Sequence, residues 1–167
     1  MAEMWELVNE HGEGSGVIYN RESGEQFPDG LYFRVVEVWV KVYDKLLITQ
    51  RHPDKWRGLS WEVPGGGVIL GEVPRESAAR ELFEETGISA LPEELSLLGT
   101  SFHGAAMIYS YYLELHAQPH LTLQPTEVVD YKYLTLPELA LDSELTPGTK
   151  IRFEKYLDIL NEKFEKT

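Results

Sequence analysis

The sequence contains no cysteine, which excludes disulfides, thiolate metal sites and cysteine nucleophiles together. Basic residues are scarce: 15 lysines and arginines stand against 28 aspartates and glutamates, giving a net charge of −13. Broad duplex nucleic-acid binding depends on neutralising phosphates with Lys and Arg, so that class is not expected. A small anionic ligand stays compatible, provided a divalent cation mediates. Long apolar runs are missing too. The most apolar stretch, "LYFRVVEVWVKVY", is broken by Arg34, Glu37 and Lys41, and no span reads as membrane-crossing. The opening "MAEMWELVNE" is acidic and holds no apolar segment of signal-peptide length, so a reducing, cytoplasmic setting is expected. Repeats and low-complexity tracts are absent. With 167 residues and 43% apolar content, the expectation is one globular domain that buries its own core.

Hydrophobic alternation organises the chain. Short strands are expected over 4–9 and 16–20 around the turn "HGEGSG", followed by loop chemistry over 21–30. Over 31–43, Val36, Val38, Val40 and Val42 share one face of a long strand, with Val35, Glu37, Trp39 and Lys41 on the other. A second strand follows at 45–51 behind a turn at Tyr43–Asp44. A short strand within 60–67 is expected to end at Pro64 and three glycines. Pro74 near its start and Gly87 past its end bracket a helix over 73–86. Further strands are expected near 95–102, 106–116 and 131–135. A last helix over 147–164 carries Ile151, Tyr156, Ile159 and Leu160 at helical spacing. This order predicts an α/β (α+β) fold, a mixed sheet sandwiched between helices. An N-terminal extension would cover 1–30 and a core 31–140.

The helix over 73–86 poses a physical problem. Glu81, Glu84 and Glu85 fall within five consecutive positions, and like charges three and four apart repel by a few tenths of a kcal/mol. With Glu81 at zero and about 100° per residue, Glu85 lies near about +40° and Glu84 near about −60°. The three acids thus share one arc, while Ala78, Leu82, Ala79 and Phe83 occupy the next and can face the core. Arg80 reaches Glu84 at i+4, with Glu76 one turn earlier on its other side. Clustered hard oxygen donors suit Mg²⁺ or Mn²⁺ rather than zinc, and bound metal would offset the repulsion.

From Gly66 to Ile88, "GGVILGEVPRESAARELFEETGI" fills every fixed position of the Nudix box: a glycine, Glu72, then Arg80, Glu81, Leu82, Glu84, Glu85, Gly87 and Ile88. The chain resembles the Nudix hydrolase family. "KLLITQRH", "WEVPGGG" and "TEVVDYKYLTLPEL" carry the likeness across residues 31–140. The resemblance implies a Nudix fold and a Mg²⁺- or Mn²⁺-dependent hydrolase that cleaves a diphosphate linked to another moiety. It also implies Glu81, Glu84 and Glu85 as metal-binding acids, the carbonyl of Gly65 as a further ligand, and Arg80 and Glu72 as groups that hold the carboxylates in place. Homodimers are common in that family and are an expectation here.

Glycines at 65–67 suit a tight turn and a close approach of phosphate or metal to the backbone, which places Gly66 and Gly67 among the substrate-binding candidates. Glu81 and Glu127 are the candidate bases. Arg51, Lys55 and Arg57 form the one basic cluster and could steer phosphate. Trp56, Trp61, Tyr111 and Tyr112 could stack a base, against the plainer reading of packing. His116 and His120 are four apart, but Pro119 between them argues against a metal pair; His52 and His103 are single loop residues.

The region up to "GLYFRVVEVWV" also resembles the isopentenyl-diphosphate isomerase branch of the same fold. At the matching positions Gly65 replaces that branch's cysteine, and Gly67 and Phe33 replace two histidine ligands, so hydrolysis is expected rather than isomerisation. A non-catalytic Nudix-fold sensor or binding module is the alternative to an enzyme.

Overall fold

The computed structural model describes residues 2–166. A hairpin of β1 (Met4–Val8) and β2 (Gly14–Asn20) precedes the main sheet. That sheet contains β3 (Phe33–Val42), β4 (Lys45–Arg51), β5 (Trp61–Glu62), β6 (Gly65–Gly67), β7 (Ser96–His103), β8 (Ala106–Leu115) and β9 (Val128–Leu134). Three helices complete the chain: α1 (Pro74–Thr86), α2 (Leu136–Leu141) and α3 (Pro147–Glu165). A 3-10 turn at Pro92–Glu94 links α1 to β7. No helix of the described residues is long and apolar enough to cross a membrane.

β3 is the hub because both of its faces are buried from Val36 to Val42. Val36, Val38, Val40 and Val42 pack with Ala78 and Leu82 of α1, whereas Trp39 packs with Phe153, Tyr156 and Leu160 of α3 and Leu139 of α2. The expected mixed sheet between helices is what forms. β3 pairs in parallel with β8 along its full length, from Phe33 opposite Ala106 to Val42 opposite Leu115. On its other edge β4 pairs only at Lys41 and Val42, and β6 takes over at Val35, Val36 and Glu37. The divergence of β4 from β6 opens a cavity of about 830 Å³ at the N-terminal half of β3.

Several expectations need correction. The glycines do not end a strand in a turn; they form β6, antiparallel to β3, and none of the three has positive φ. Phe83 lies outside the packed arc of α1 and is 58% exposed. In α3, Ile151 and Ile159 are exposed, and the buried face is Phe153, Tyr156 and Leu160. α2 was not expected, although Thr135 and Glu138 cap its N-terminus reciprocally, a signal readable in "TLPE". The stop of α1 does follow the glycine rule: Gly87 adopts φ 78° and donates its N–H to the carbonyl of Phe83 at 2.8 Å.

Candidate active site

α1 presents its acids differently from the simple arc. Glu85 lies inside the buried face, next to Ala78 and Leu82, and is 6% exposed. Glu81 borders that face with a side chain 15% exposed, while the Glu84 side chain is 44% exposed and points outward to Arg80. All three still line the cavity between β4 and β6.

Arg80 ties the group together. Its Nε and Nη2 donate to Glu72 at 2.8 and 3.0 Å, Nη1 donates to Glu81 at 2.8 Å and to Glu84 at 3.1 Å, and Nη2 also donates to the carbonyl of Gly67 at 3.1 Å. Glu72, rather than the expected Glu76, closes the far side, and Ser77 donates to it as well. Burial pushes the Glu72 carboxyl up, but the bonds from Arg80 and Ser77 outweigh it and hold the pKa below the usual range.

Glu85 has the opposite surroundings. Its one hydrogen bond among the described residues comes from the N–H of Gly65, at 3.1 Å. Burial, followed by the charges of Glu62 and Glu81, drives its pKa well above the ordinary carboxylate value. Burial also raises Glu81, against the pull of Arg80, and Glu62, against the pull of Arg51. Sequence reading missed Glu62, although it stands two residues before Pro64 on the strand leading to the glycines.

The glycines are required by space. A Cβ on Gly65 would lie 2.2 Å from the carbonyl oxygen of Val36 and 2.9 Å from the Cα of Glu37, both backbone atoms that cannot yield. A Cβ on Gly66 would lie 2.3 Å from the carboxyl carbon of Glu81, the mobile end of a side chain. Gly65→Ala is therefore expected to cost about 3 kcal/mol of stability, whereas Gly66→Ala keeps most of it and displaces Glu81 instead. Thermal melts and calorimetric titration with Mg²⁺ on both variants check this: Gly65→Ala should lose melting temperature, and Gly66→Ala should lose metal affinity first.

The remaining candidates fall into place by contact. Arg51 donates to Glu62 at 2.7 Å and to the carbonyl of Trp56 at 2.8 Å, and Lys55 pairs with Glu127; all four charged groups line the cavity. Arg57 lies outside it, stacked on the exposed Trp56 ring. Trp61 is corrected to a core residue: it is buried in the cluster around Trp39, with the Lys132 ammonium over its ring. Tyr111 and Tyr112 are buried likewise and present no stacking face. His116 and His120 border a shallow groove away from the acids.

Among the described residues, no three His, Asp or Glu side chains converge as a finished metal cage. The donor set nonetheless fits a hard divalent cation. It consists of carboxylates, and the buried one, Glu85, has no cationic side chain bonded to it.

A mixed sheet thus lies between helix layers, with acids from one helix set against a glycine strand. The chain matches the NUDIX domain family over residues 31–156. An uncharacterized Nudix hydrolase of Listeria monocytogenes is 33% identical over 147 residues, covering 82% of each chain. An RNA pyrophosphohydrolase of Bartonella clarridgeiae is 26% identical over 143 residues, covering 72% of this chain and 77% of its own. The crystal structure of DR0079 from Deinococcus radiodurans shares the fold, with a TM-score of 0.76 at 23% identity over 92% of this chain and 99% of that one. This chain belongs to the Nudix hydrolase family. Enzymes of that family cleave diphosphate linkages in small molecules and generally use divalent metal ions.

Proposed function

We propose that this enzyme hydrolyses a small diphosphate compound with Mg²⁺ or Mn²⁺ held by Glu81 and Glu85, joined by Glu84 and the carbonyl of Gly65. The observation that carries this reading is the buried Glu85 carboxylate, facing Glu62 and Glu81 without a cationic side chain bonded to it. When bound, the metal neutralises charge on the phosphoryl oxygens and acidifies water. The chain supplies the positioning. The Gly65 N–H orients Glu85, and the Arg80 fork fixes Glu72, Glu81 and Glu84 against the carbonyl of Gly67. Gly66 and Gly67 leave main chain open towards the substrate, and Arg51 and Lys55 supply positive charge on the facing wall.

Two carboxylates are candidates to take the proton from water. Glu81 is the better placed, because it lines the cavity beside Glu85 and its carboxylate is held in position by Arg80. Glu127 first has to release Lys55.

The whole site belongs to one Nudix domain in which the N-terminal hairpin and α3 both wall the cavity. The lead-in resembles isopentenyl-diphosphate isomerases, but Gly65 cannot supply a proton, and Phe33 stacks on Trp5 at 4.6 Å where a histidine ligand would be needed. The acidic surface points to a small-molecule substrate rather than duplex nucleic acid and suits the cytoplasm.

The test is an assay with Mg²⁺ and Mn²⁺ across nucleoside triphosphates, ADP-ribose, dinucleotide cofactors, dinucleoside polyphosphates and isoprenoid diphosphates. At least one should release phosphate, pyrophosphate or a nucleoside monophosphate, and isopentenyl diphosphate should not isomerise. Tight binding without cleavage across that set would make the protein a sensor instead.

A further inference from the structure

Glu37 and Arg152 meet in the wall of the cavity, 115 residues apart in sequence, and neither belongs to the Nudix box. Glu37 is 4% exposed on β3, opposite Gly65 of β6. Its Oε1 accepts three hydrogen bonds: from Trp39 Nε1 at 2.9 Å, from Ser110 Oγ at 2.7 Å and from Arg152 Nε at 2.8 Å. Arg152 comes from the first turns of α3, and its side chain is 12% exposed. A Cβ on Gly148 would sit 2.9 Å from Arg152 Nη1, so the guanidinium lies back over the start of α3 in the space that this glycine leaves.

Of the other partly buried cations of the cavity, Arg80 and Arg51 are more heavily committed. Arg80 spends all three nitrogens on Glu72, Glu81, Glu84 and Gly67, and Arg51 spends two on Glu62 and Trp56. Lys55 holds Glu127. Arg152 spends only Nε, and among the described residues both of its Nη groups lack a protein acceptor. If its purpose were to neutralise Glu37, a pair of apolar residues would serve as well or better, since buried ion pairs seldom stabilise more than good packing. A guanidinium whose Nε is anchored and whose terminal N–H groups are left over is instead a preset fork for a phosphate.

We propose that Arg152, aimed by Glu37, is a substrate-binding residue that grips phosphoryl oxygens of the diphosphate at the Gly65 end of β6. Arg80 works at the other end, on the carbonyl of Gly67. This rests on the diphosphatase reading of the site and extends it. The substrate spans from the acids of α1 to the α3 wall, so α3 takes part in recognition as well as packing.

The experiment uses the full chain and methylenediphosphonate, a diphosphate mimic that resists hydrolysis, titrated calorimetrically with Mg²⁺ present; Mg²⁺ alone is titrated in parallel. Arg152→Gln should lower melting temperature, because Glu37 is left buried without its cation, and should weaken diphosphonate binding about tenfold or more. The double variant Glu37→Gln/Arg152→Gln removes the stranded charge. It should regain melting temperature, keep its affinity for Mg²⁺ alone, and still bind diphosphonate weakly. Arg152→Lys retains the charge beside Glu37 but not the fork, and should raise KM more than it lowers kcat. A purely structural role predicts that the double variant recovers binding together with stability, and that result overturns the proposal. Wild-type diphosphonate affinity in folded Arg152→Gln overturns it too. If the wild-type protein itself binds no diphosphonate with Mg²⁺, the reading of the whole site falls, and this inference with it.

Discussion

Replacing Glu85 by Gln is expected to cut turnover by about three orders of magnitude while leaving the metal-free protein more stable. Gln keeps the shape and can accept the same N–H from Gly65, so the loss would fall on charge alone. Burial and the neighbouring charges of Glu62 and Glu81 raise the pKa of Glu85 on folding, so the folded chain holds the proton more tightly than the unfolded one. The stability this group contributes is complete below its ordinary pKa of 4.5 and is lost as pH climbs through the raised folded value. In EDTA, the advantage of Glu85→Gln over wild type should therefore be near zero at about pH 4 and should grow towards about pH 8. Thermal melts across that range, beside steady-state rates with Mg²⁺, check both halves. A full rate in the variant would reduce the acids to a surface face, and a lower melting temperature without metal would make Glu85 a structural partner.

Arg80→Ala is expected to behave in the opposite way. The guanidinium joins Glu72, Glu81 and Glu84 to the carbonyl of Gly67, so its removal strands partly buried acids. A loss of about 2–3 kcal/mol is expected, less than for a fully buried pair because the Arg80 side chain is 25% exposed. At this chain length that corresponds to roughly 4–12 °C in melting temperature. Glu72, held below its ordinary pKa, contributes stability that is present above about pH 4.5 and is lost as pH falls through its folded value. The difference between wild type and Arg80→Ala should accordingly shrink on acidification, whereas that between wild type and Glu85→Gln opens as pH rises. Activity should fall by about 10- to 100-fold, the usual effect of removing a group that orients metal ligands. Arg80→Lys should recover little, because a single ammonium has three donors and cannot reproduce the five bonds that the guanidinium makes to Glu72, Glu81, Glu84 and the carbonyl of Gly67. Melting curves of the two variants at several pH values separate the roles: parallel curves would contradict the assignment of opposite linkage to Glu72 and Glu85.

The opposite behaviour of those two acids was not legible in the sequence. Spacing alone put Glu81, Glu84 and Glu85 on one arc, and it located α1, its proline start and its glycine stop closely. Spacing could not say that Glu85 would lie inside the packed face while Glu84 turned out to Arg80, because that depends on how α1 seats on β3 and β6. The same limit applies to the glycines. A run of three reads locally as a turn, and only its pairing with Val35, Val36 and Glu37 makes it a strand. Trp61 is ambiguous for a related reason, since its strand borders both the cavity and the α3 layer, and the neighbour that covers it, Lys132, comes from β9. Glu37 did carry a signal, as the one acid of a strand made mostly of apolar residues. Arg152 carried none, because its partner is 115 residues away. α2 has a local signal in the reciprocal cap of Thr135 and Glu138, but at six residues it is too short to show a helical apolar period.

The pairing of β3 with β8 has a consequence for the order in which the chain assembles. These strands meet across a separation of 73 residues, in parallel, so their contact closes a large loop before it gains any stability. α1 lies between them in sequence and can flicker into helix beforehand, but its acids then repel with no cavity to enter. α3, which brings Arg152 to Glu37, is made later still. During synthesis the acids of α1 precede Glu127 and Arg152, so the cavity that all of them line is complete only once α3 has been made.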